Sequence, residues 1–513
     1  MSEVWSEGYF TDVDYIHSYS REINPVFMRY CLLLRGIASV ESTEAYHCEL
    51  GFGQGVSINI HAAANPGRFL GTDFTPSQAA NATALAATYD SDSRFYDDSF
   101  EQLLARDDLP QFDSISLHGV WTWVSQDNQK YIVEFARRYL KPGGMLYISY
   151  NSLPGWSPAA PLRQLFSLHD RFVSSAARPT ERIESALQFT EALLAANPTY
   201  AKGLPNLGSI LQGIKGQDHR YLAHEYFNRD WDCKYFTDVV DALAPAKLEY
   251  VTTAFPLDAV DPLNLSGEAM DFLETIDHPI MREQARDYFV NRQFRRDLFM
   301  RGAIRLSASE QRQKLLNTRF VMLQTADSVS DTVSCPAGEA VLVAEVYAPV
   351  LHALAANAYA PKTLRQLLDE VHPLPYDDLA QAINVLVAMG AVAPCQSETD
   401  EALVQSRCSM LNLQLCKRSL LNSQIQTLAS PVIGGGVTVG RFQQLFLIAI
   451  KQGKTRPVEW AQLAWGIIAE QGEGIVKDGK ALTTAHENIV ELTEQAETFA
   501  QTSLIILKAL KVA

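Results

Sequence analysis

Short apolar runs alternate with helical periodicities between about residues 46 and 150. The runs that predict strands are 47–50, 68–72, 112–117 and 145–150, and a further strand is expected to end near Asp97 and Asp98. The segments with helical spacing are 56–64, 77–88 and 127–140. Strand–helix alternation at this spacing predicts a parallel sheet with helices on both faces, which is a doubly wound, Rossmann-like α/β core.

The pattern after residue 158 is mainly helical. Residues 160–245 have helical spacing, with breaks at Pro198 and at 203–208, and residues 247–253 predict a strand that returns to the sheet edge. Residues 264–318 read as helical again and are rich in charge. The Ser-rich stretch from about 325 to 338 is expected to be a linker.

The C-terminal third predicts a winged-helix-like module followed by helices. Thr363 is a candidate helix cap, residues 376–389 predict a second helix, and Gly390 suits the left-handed position that ends it. A short strand is expected from Ala391, and residues 440–513 are helical apart from a Gly-rich break. The expected regions are an N-terminal lid and helical segment (1–45), a cofactor-binding core (46–157), a helical insertion with sheet-edge strands and a regulatory region (158–325), and a C-terminal winged-helix-like and helical domain (338–513).

Charge and composition narrow the function classes. The 513 residues carry a formal net charge of −16, which argues against nucleic-acid binding because phosphate surfaces need clustered Lys and Arg. One local basic cluster, formed by Arg292, Arg295, Arg296 and Arg301, is interpreted as a helix face paired with nearby acids. The chain has no apolar run long enough to cross a bilayer and no recognisable leader, so we expect a cytoplasmic protein without membrane insertion. Seven cysteines lack CxxC spacing, so no metal site is predicted.

The sharpest chemical signal is a glycine-rich turn after the first strand, Glu49-Leu-Gly51-Phe-Gly53-Gln-Gly55. Glycines here permit a tight turn and let a ligand approach the backbone, and the helix that follows presents free N–H groups. The dinucleotide pattern needs a third glycine three residues after the second, where this chain has Val56. A ligand without a pyrophosphate therefore fits better than NAD.

Acidic residues at the tips of the next two strands complete a nucleoside-binding pattern. Asp73, followed by Phe74, comes 20 residues after Gly53, the distance at which a carboxylate accepts hydrogen bonds from ribose hydroxyls. A plain helix cap is the alternative for Asp73. Near the third strand, Asp98 and Ser99 are candidates for reading an adenine edge with Phe100 packed on the ring; helix capping is again the alternative.

The chain resembles the class I methyltransferases, and more narrowly the subgroup that carries a methyltransferase regulatory domain. The stretches that carry the resemblance cover roughly residues 8–320 and are 8–15, 49–55, 112–124, 140–156, the His224-Glu-Tyr motif and 291–298. The subgroup includes bacterial enzymes that methylate lysines of outer-membrane proteins. The resemblance therefore implies a seven-stranded sheet, S-adenosyl-L-methionine as cofactor, and a protein-lysine acceptor. In the first motif of these enzymes, the residue between the first two glycines is commonly small or Cys, and here it is Phe52. The larger ring is expected to narrow the methionine end of the cofactor pocket.

Several side chains are candidates for the transfer site. If the N-terminal segment is helical, Tyr15 and Tyr19 lie on one face and place aromatic rings near the sulfonium; packing in a lid is the alternative. His118 and Gly119 follow the fourth strand, and His118 is either a base or a structural hydrogen-bond partner. Trp121 and Trp123 are expected to wall the acceptor site or to pack beneath it. Residues on the same rim after the fifth strand are Asn151, Pro154 and Trp156.

Three function classes remain open at this point. The first is a methyltransferase that modifies a protein side chain, and the second is one that modifies a small metabolite or lipid. The third is a non-catalytic protein that senses S-adenosylmethionine or its demethylated product. The long extension beyond the core favours a large acceptor, although added domains also serve dimerisation, and a homodimer is one arrangement that the sequence leaves open.

Overall fold

A seven-stranded sheet forms the centre of the molecule. The computed structural model describes residues 16–39, 42, 44–89, 92–173, 178–204, 206–218, 222, 225–226 and 228–513. The strand order is β3-β2-β1-β4-β5-β7-β6. The strands are β1 Tyr46–Leu50, β2 Arg68–Thr72, β3 Arg94–Tyr96, β4 Phe112–Leu117, β5 Leu140–Asn151, β6 Glu249–Thr253 and β7 Phe294–Met300. This sheet confirms the predicted doubly wound methyltransferase fold.

The strands predicted for the first half of the sheet run parallel. β1 pairs with β2 on one side and β4 on the other, β2 pairs with β3, and β4 pairs with β5, all in parallel register. The crossover helices are Val56–Ala64, Pro76–Ala86, Phe100–Ala105 and Gln126–Tyr139. Parallel strands end at a common edge, so the turns after β1, β2 and β4 meet there.

Both faces of the sheet are buried, which explains why its strands read as continuous apolar runs. On one face, Cys48, Ile115 and Ile148 belong to a core that also contains Phe135 of the helix Gln126–Tyr139. On the other face, Ile58 and Ile60 of the helix Val56–Ala64 belong to a larger core that extends into the C-terminal region. The C-terminal region is thus attached to the sheet's covering helix, through bonds such as Asn65 Nδ2 to the Gly434 carbonyl at 2.6 Å.

Strand β7 corrects the expectation that residues 264–318 are wholly helical. β7 runs antiparallel to both β5 and β6, and it contains Arg295 and Arg296 of the predicted basic cluster. Alternate side chains of a strand face opposite sides of the sheet, so Arg295 is buried on one side with Asp297. The four arginines therefore do not share a helix face; the edge position expected for residues 247–253 is confirmed by β6.

Helices flank these last strands. Those before β6 are Ala160–Phe172, Pro179–Ala195, Thr199–Lys202, Leu207–Lys215 and Phe236–Leu243. Those after β6 are Asp261–Asn264, Gly267–Glu274, Pro279–Phe289 and Ala308–Asn317. The helix Pro25–Leu34 precedes the sheet and is capped by the Asn24 side chain, which accepts from the Val26 amide at 2.9 Å.

Two helices and a small antiparallel sheet occupy the stretch for which the sequence predicts a winged-helix-like module. β8 Arg319–Met322 pairs antiparallel with β11 Lys362–Thr363 and β12 Val392–Cys395. Thr363 caps the helix Leu364–Glu370, and Gly390 has a φ of 77° after the helix Tyr376–Ala388, as the sequence predicts. The expected linker instead holds an antiparallel hairpin, β9 Thr332–Cys335 and β10 Gly338–Val341.

The remaining C-terminal elements are mostly helical. The helices are Ala344–Tyr359, Glu398–Ser419, Arg441–Lys451, Pro457–Glu470, Ala485–Gln501 and Ser503–Ala509. Two short hairpins interrupt them, β13 Thr427–Ser430 with β14 Gly435–Thr438, and β15 Val476–Lys477 with β16 Lys480–Ala481. Across the described residues, no helix combines the length and apolar character that a bilayer span requires.

Candidate functional site

Two adjoining cavities lie at the carboxyl ends of β1, β2 and β4. Both are lined by Gly51, Asp73, Phe74, Phe100, Trp123 and Val124. The first cavity is further lined by Ser18, Ser20, Glu49, Phe52, Gly53, Gln54, Ser57, Gln78, His118, Gly119, Val120, Glu225 and Asn228. The second is further lined by Thr72, Asp98, Ser99, Ser125, Asn128 and Asp230. Most of the residues predicted to hold the cofactor thus face one continuous region.

The glycine turn after β1 is built from left-handed residues. Gly51, Gly53 and Gly55 have φ values of 73°, 56° and 72°. A Cβ on Gly51 would lie 2.6 Å from a Val120 methyl carbon, so any side chain at this position would collide with Val120. Gly55 does not line either cavity; a Cβ there would overlap Ala82, so its role is close packing of two helices.

Asp73 joins the tip of β2 to the glycine turn. Its Oδ2 accepts a 2.9 Å hydrogen bond from the Gly53 amide, and its Oδ1 accepts one of 3.1 Å from the Thr75 amide. The Gln78 side-chain amide, in the orientation that suits its neighbours, donates to both oxygens at 3.1 and 3.0 Å. Burial raises the pKa of Asp73 to about 6, although the two amide hydrogen bonds oppose the shift.

Glu49 is the last acidic residue of β1 and is buried in the first cavity. Burial, with a smaller contribution from the charge of Asp73, raises the pKa of Glu49 to about 8. Its neighbour Phe52 is also buried and packs edge-on against Phe95, with ring centroids 5.5 Å apart. The ring of Phe52 therefore forms part of the cavity wall beside Glu49.

The residues after β3 line the cavities and also cap the helix that follows. Ser99 caps the helix Phe100–Ala105, and its own amide donates to Gln102 Oε1 at 2.9 Å. Asp98 Oδ2 accepts from Arg106 Nη1 at 2.8 Å. Ser99 therefore caps a helix, which was the alternative to a role in binding adenine. Phe100 lines both cavities, and Asp98 lines the second.

His118 follows β4 and lines the first cavity. Its Nδ1 lies 2.8 Å from the Tyr147 hydroxyl, and the two rings are stacked. Burial lowers the pKa of His118 to about 4. Gly119 follows with its amide donating to Ser149 Oγ at 2.7 Å. The ring is therefore neutral near pH 7 and held by a hydrogen bond, which makes it a weak base.

Three tryptophans form a row that leads away from the cavities. Trp123 lines both cavities, its ring centroid lies 6.4 Å from that of Trp231, and Trp156 lies 5.4 Å beyond. The remaining rim residues are not cavity-lining: Asn151 is buried with its Nδ2 unpartnered, and Pro154 follows in a cis peptide. Trp156, Asn151 and Pro154 line neither cavity.

Two of the aromatic predictions need correction. Residues 16–20 are not helical, so Tyr19 faces away from the cavity that its neighbours Ser18 and Ser20 line. The Tyr19 hydroxyl accepts a 2.7 Å hydrogen bond from the Gly436 amide and lies 3.2 Å from His61 Nε2. Trp121 is fully buried in the core and lines neither cavity. Tyr15 lies outside the described residues.

Residues far from the sheet in sequence contribute part of the cavity wall, and the sequence pattern does not reveal them. Glu225, Asn228 and Asp230 line the cavities although they lie about 110 residues or more after β4. Gln54, Ser57 and Gln78 also line the first cavity. Gln54 belongs to the recognised glycine turn, and Ser57 and Gln78 belong to the helical patterns that follow. Their positions directly after the glycine turn and after Asp73 were the available signal.

The lining residues of the two cavities include acidic side chains but no Lys or Arg among the described residues. Five carboxylates line them, those of Glu49, Asp73, Asp98, Glu225 and Asp230, whereas no Lys or Arg of the described chain does so. Elsewhere in the described chain, no group of three or more His, Cys, Asp and Glu is placed to hold a metal ion. Asp98 and Asp230 are paired with Arg106 and Arg229, and burial keeps Glu49 mostly protonated near pH 7. A cationic ligand in the first cavity would stabilise the ionised forms of Glu49 and Asp73.

This donor set fits S-adenosylmethionine. A carboxylate at the tip of β2 suits ribose hydroxyls, the ring of Phe100 suits an adenine, and buried carboxylates suit a sulfonium and an ammonium. Gly51 lines both cavities without a side chain, so its backbone is exposed to the ligand. Asp98 and Ser99, already bonded to Arg106 and Gln102, are less free to read the adenine edge than their position alone suggests.

Comparison with known proteins gives matches across the chain. A family model described as a methyltransferase domain matches residues 48–146, and one described as a predicted methyltransferase regulatory domain matches residues 218–301. An uncharacterised protein from Synechocystis, sll1526, is 37% identical over 99% of each chain. An uncharacterised protein from Rickettsia prowazekii, RP789, is 26% identical over 55% of this chain and 51% of its own.

A solved structure has the same overall fold. PKMT2 from Rickettsia typhi in complex with AdoHcy superposes with a TM-score of 0.71, covering 97% of this chain and 100% of its own, at 18% identity. The likeness extends over the sheet, the inserted helices and the C-terminal region together. AdoHcy is S-adenosylhomocysteine, the product that remains when S-adenosylmethionine loses its methyl group.

Proposed function

Because this chain belongs to the class I S-adenosylmethionine-dependent methyltransferases with a methyltransferase regulatory domain, we propose that its acceptor is a protein lysine. The observation that carries the proposal is the charge of the site. Five carboxylates and no cation among the described lining residues favour an acceptor that arrives as a cation. A carboxylate or phosphate acceptor would be repelled by the same surface.

We assign the cofactor-binding roles from the positions of the residues that line the cavities. Asp73 receives the ribose hydroxyls, and Gly51 and Gly53 lie along the ligand with their backbone exposed. Glu49 faces the amino end of the methionine moiety, and Phe100 with Phe74 packs on the adenine. Gly55 acts indirectly, because its contact with Ala82 sets how closely the helix after the turn approaches its neighbour.

Methyl transfer needs positioning more than acid–base chemistry. When bound, S-adenosylmethionine supplies a methyl carbon to which the acceptor nitrogen adds its lone pair as the C–S bond breaks and its electrons stay on sulfur. The chain's own residues hold the two reactants in line, which is worth several kcal/mol of the barrier. His118, kept neutral by burial and bonded to Tyr147, holds the floor of the cavity in place.

The acceptor amine must be neutral when it reacts. A free lysine amine has a pKa of about 10.4, and removal from water next to a sulfonium lowers that value. The proton that the ammonium loses passes to water. The low pKa of His118 makes that ring a poorer proton acceptor than water-exposed groups, so we assign it to positioning.

The row formed by Trp123, Trp231 and Trp156 supports an acceptor larger than a metabolite. Aromatic surfaces bind the methylene stem of a lysine and the flanking peptide with little loss of side-chain freedom. The seven cysteines are free thiols, which supports a reducing compartment, and we place the reaction in the cytoplasm.

The test uses a bacterial cell extract and cofactor labelled in its methyl group. Wild-type protein is expected to label polypeptides, and acid hydrolysis of these should release labelled methyllysine. The variant Asp73→Ala serves as the control and should leave the extract unlabelled. Label found only in metabolites or lipids would replace the lysine acceptor by a small-molecule one, and tight cofactor binding without any labelled product would support a sensor.

A further inference from the structure

A short non-helical segment, Ser18-Tyr19-Ser20, forms one wall of the first cavity. Ser18 and Ser20 line that cavity, whereas the Tyr19 hydroxyl between them is bonded to the C-terminal region. The segment precedes the sheet in sequence and belongs to no helix or strand. We call these three residues the strap. Because no regular element fixes the strap, its position at the cofactor depends on its individual contacts.

The first anchor of the strap is on the helix that follows the glycine turn. The Ser20 amide donates to Ser57 Oγ at 2.9 Å, and Ser57 Oγ donates to the Ser18 carbonyl at 3.3 Å. Ser57 belongs to the helix Val56–Ala64 and itself lines the first cavity. One hydroxyl therefore holds the backbone on both sides of Tyr19.

Tyr19 provides the second anchor. Its hydroxyl accepts a 2.7 Å hydrogen bond from the amide of Gly436 in β14, and it lies 3.2 Å from Nε2 of His61. Burial raises the pKa of Tyr19 well above its ordinary value and lowers the pKa of His61 to about 3, so both side chains are neutral. The hydroxyl thus joins the strap to the C-terminal hairpin β13–β14.

The hairpin has no side chain where the Tyr19 ring packs. A Cβ on Gly436 would lie 2.9 Å from Cε2 and Cζ of Tyr19, and a Cβ on Gly435 would lie 2.6 Å from the hydroxyl oxygen. The preceding residue, Gly434, accepts a 2.6 Å hydrogen bond from Asn65 Nδ2 through its carbonyl. These glycines line neither cavity. The hairpin therefore reaches the cofactor site only through what it holds in place.

We propose that Tyr19 is a positioning residue for the cofactor, and that its bond to Gly436 lets the C-terminal region set how firmly S-adenosylmethionine is held. Tyr19 does not touch the ligand; it keeps Ser18 and Ser20 at the cavity wall before the ligand binds. A wall that is already in place lowers the cost of ordering the site on binding. The role concerns the cofactor alone, so it holds whichever acceptor the enzyme methylates.

The variant Tyr19→Phe tests this role because it removes the hydroxyl and keeps the ring. The Gly436 amide then loses its acceptor, and the strap is in place for a smaller fraction of the time. We expect the dissociation constant of S-adenosylhomocysteine, measured by calorimetry well below the unfolding transition, to rise about fivefold. A role limited to stability would lower the melting temperature and leave this constant unchanged.

Ser430→Ala is the matched control in the same hairpin. Ser430 is buried, and its Oγ donates to the Leu510 carbonyl at 2.7 Å, the same length as the bond between Gly436 and Tyr19. This variant should also lose stability but keep the wild-type dissociation constant, because its bond leads to Leu510 and not to the strap. An unchanged constant in Tyr19→Phe, or an equal rise in Ser430→Ala, would overturn the proposal.

Hydrogen exchange tests the same link in the wild-type protein. Coupling between two sites is reciprocal, so saturating S-adenosylhomocysteine should slow exchange of the Gly436 amide by a similar factor, about fivefold. Mass spectrometry with fragmentation that resolves single amides measures this effect, and Tyr19→Phe should remove it. A Gly436 amide whose exchange does not respond to the ligand in the wild type would contradict the proposal.

Discussion

The backbone N–H of Gly53 donates a 2.9 Å hydrogen bond to Oδ2 of Asp73. This bond ties the turn after β1 to the tip of β2, so one carboxylate both shapes the glycine turn and faces the cavity. Ligand hydroxyls that bind Asp73 therefore meet a side chain whose position is already fixed. Preorganisation of this kind lowers the cost of ordering the site on binding.

Replacing Asp73 by Ala should weaken S-adenosylmethionine binding by at least about thirtyfold, since two hydroxyl contacts to a charged group are lost. It should also lower the free energy of unfolding by about 1–2 kcal/mol, because the amides of Gly53 and Thr75 lose their acceptor. Calorimetry and urea denaturation measure the two effects.

The exposed Asp97 on the neighbouring turn provides the control for that variant. Asp97 directly follows β3, as Asp73 directly follows β2, but Asp97 lines neither cavity. Asp97→Ala therefore removes a carboxylate that does not face the ligand. The cofactor affinity of Asp97→Ala should equal that of the wild type. An equal loss of affinity in both variants would show that Asp73 acts through the overall charge and not through contact with the ligand.

Cofactor affinity should rise with pH between about 6 and 8. Glu49 has a pKa of about 8 in the free protein, so below that pH its carboxyl is mostly protonated and neutral. A cationic ligand favours the ionised form, so binding releases a proton, and affinity increases by up to tenfold per pH unit until it levels off near pH 8. Glu49→Gln should flatten this dependence. Calorimetry in buffers of different ionisation enthalpy measures the released proton, and proton release that persists in Glu49→Gln would refute the assignment.

Two glycines with similar backbone angles should differ when changed to alanine. Gly51 and Gly119 have φ values of 73° and 65°, but only the Cβ at Gly51 meets a neighbour, the Val120 methyl at 2.6 Å. Both variants lose about 1–2 kcal/mol to backbone strain, and Gly51→Ala loses about 1–3 kcal/mol more to overpacking. Equal unfolding free energies would show that the turn relaxes away from Val120.

Arg295 should be essential to the stability of the sheet edge. Its guanidinium, 3% exposed, contacts Asp287 at 2.6 Å, Asp297 at 2.8 Å and Glu283 at 2.9 Å. Arg295→Met leaves these carboxylates without their cation and should cost about 3–5 kcal/mol in urea unfolding. The surface variant Arg137→Met, whose partner is the exposed Glu134, should show no measurable change.

The local parts of the site were predictable from sequence. The turn at Gly51–Gly55 and the acid at Asp73 each sit where a strand ends and a helix begins, and that transition is visible in the hydrophobic pattern. Parallel strands bring such ends to one edge, so the proximity of Glu49, Asp73 and His118 follows from topology. Gly390 and Thr363 were predictable for the same reason, because helix ends have local chemical requirements.

Tertiary contacts account for what the sequence did not reveal. β7 reads Phe-Arg-Arg-Asp, and only its distant partners Asp287 and Glu283 make a buried arginine there acceptable. Tyr19 was expected on a helix, whereas its segment is not helical and its hydroxyl binds Gly436, more than 400 residues away. Glu225 belongs to the His224-Glu-Tyr motif, but that motif does not indicate a cavity, and the fold of the chain brings the residue to the site.

A crystal structure of the complex with S-adenosylhomocysteine tests the account most directly. We expect ribose hydroxyls on Asp73, the adenine beside Phe100, the amino group toward Glu49, and the sulfur facing the part of the cavity lined by His118 and Glu225. Density for the ligand in any other cavity, or a bound ligand whose ribose is turned away from Asp73, would contradict it.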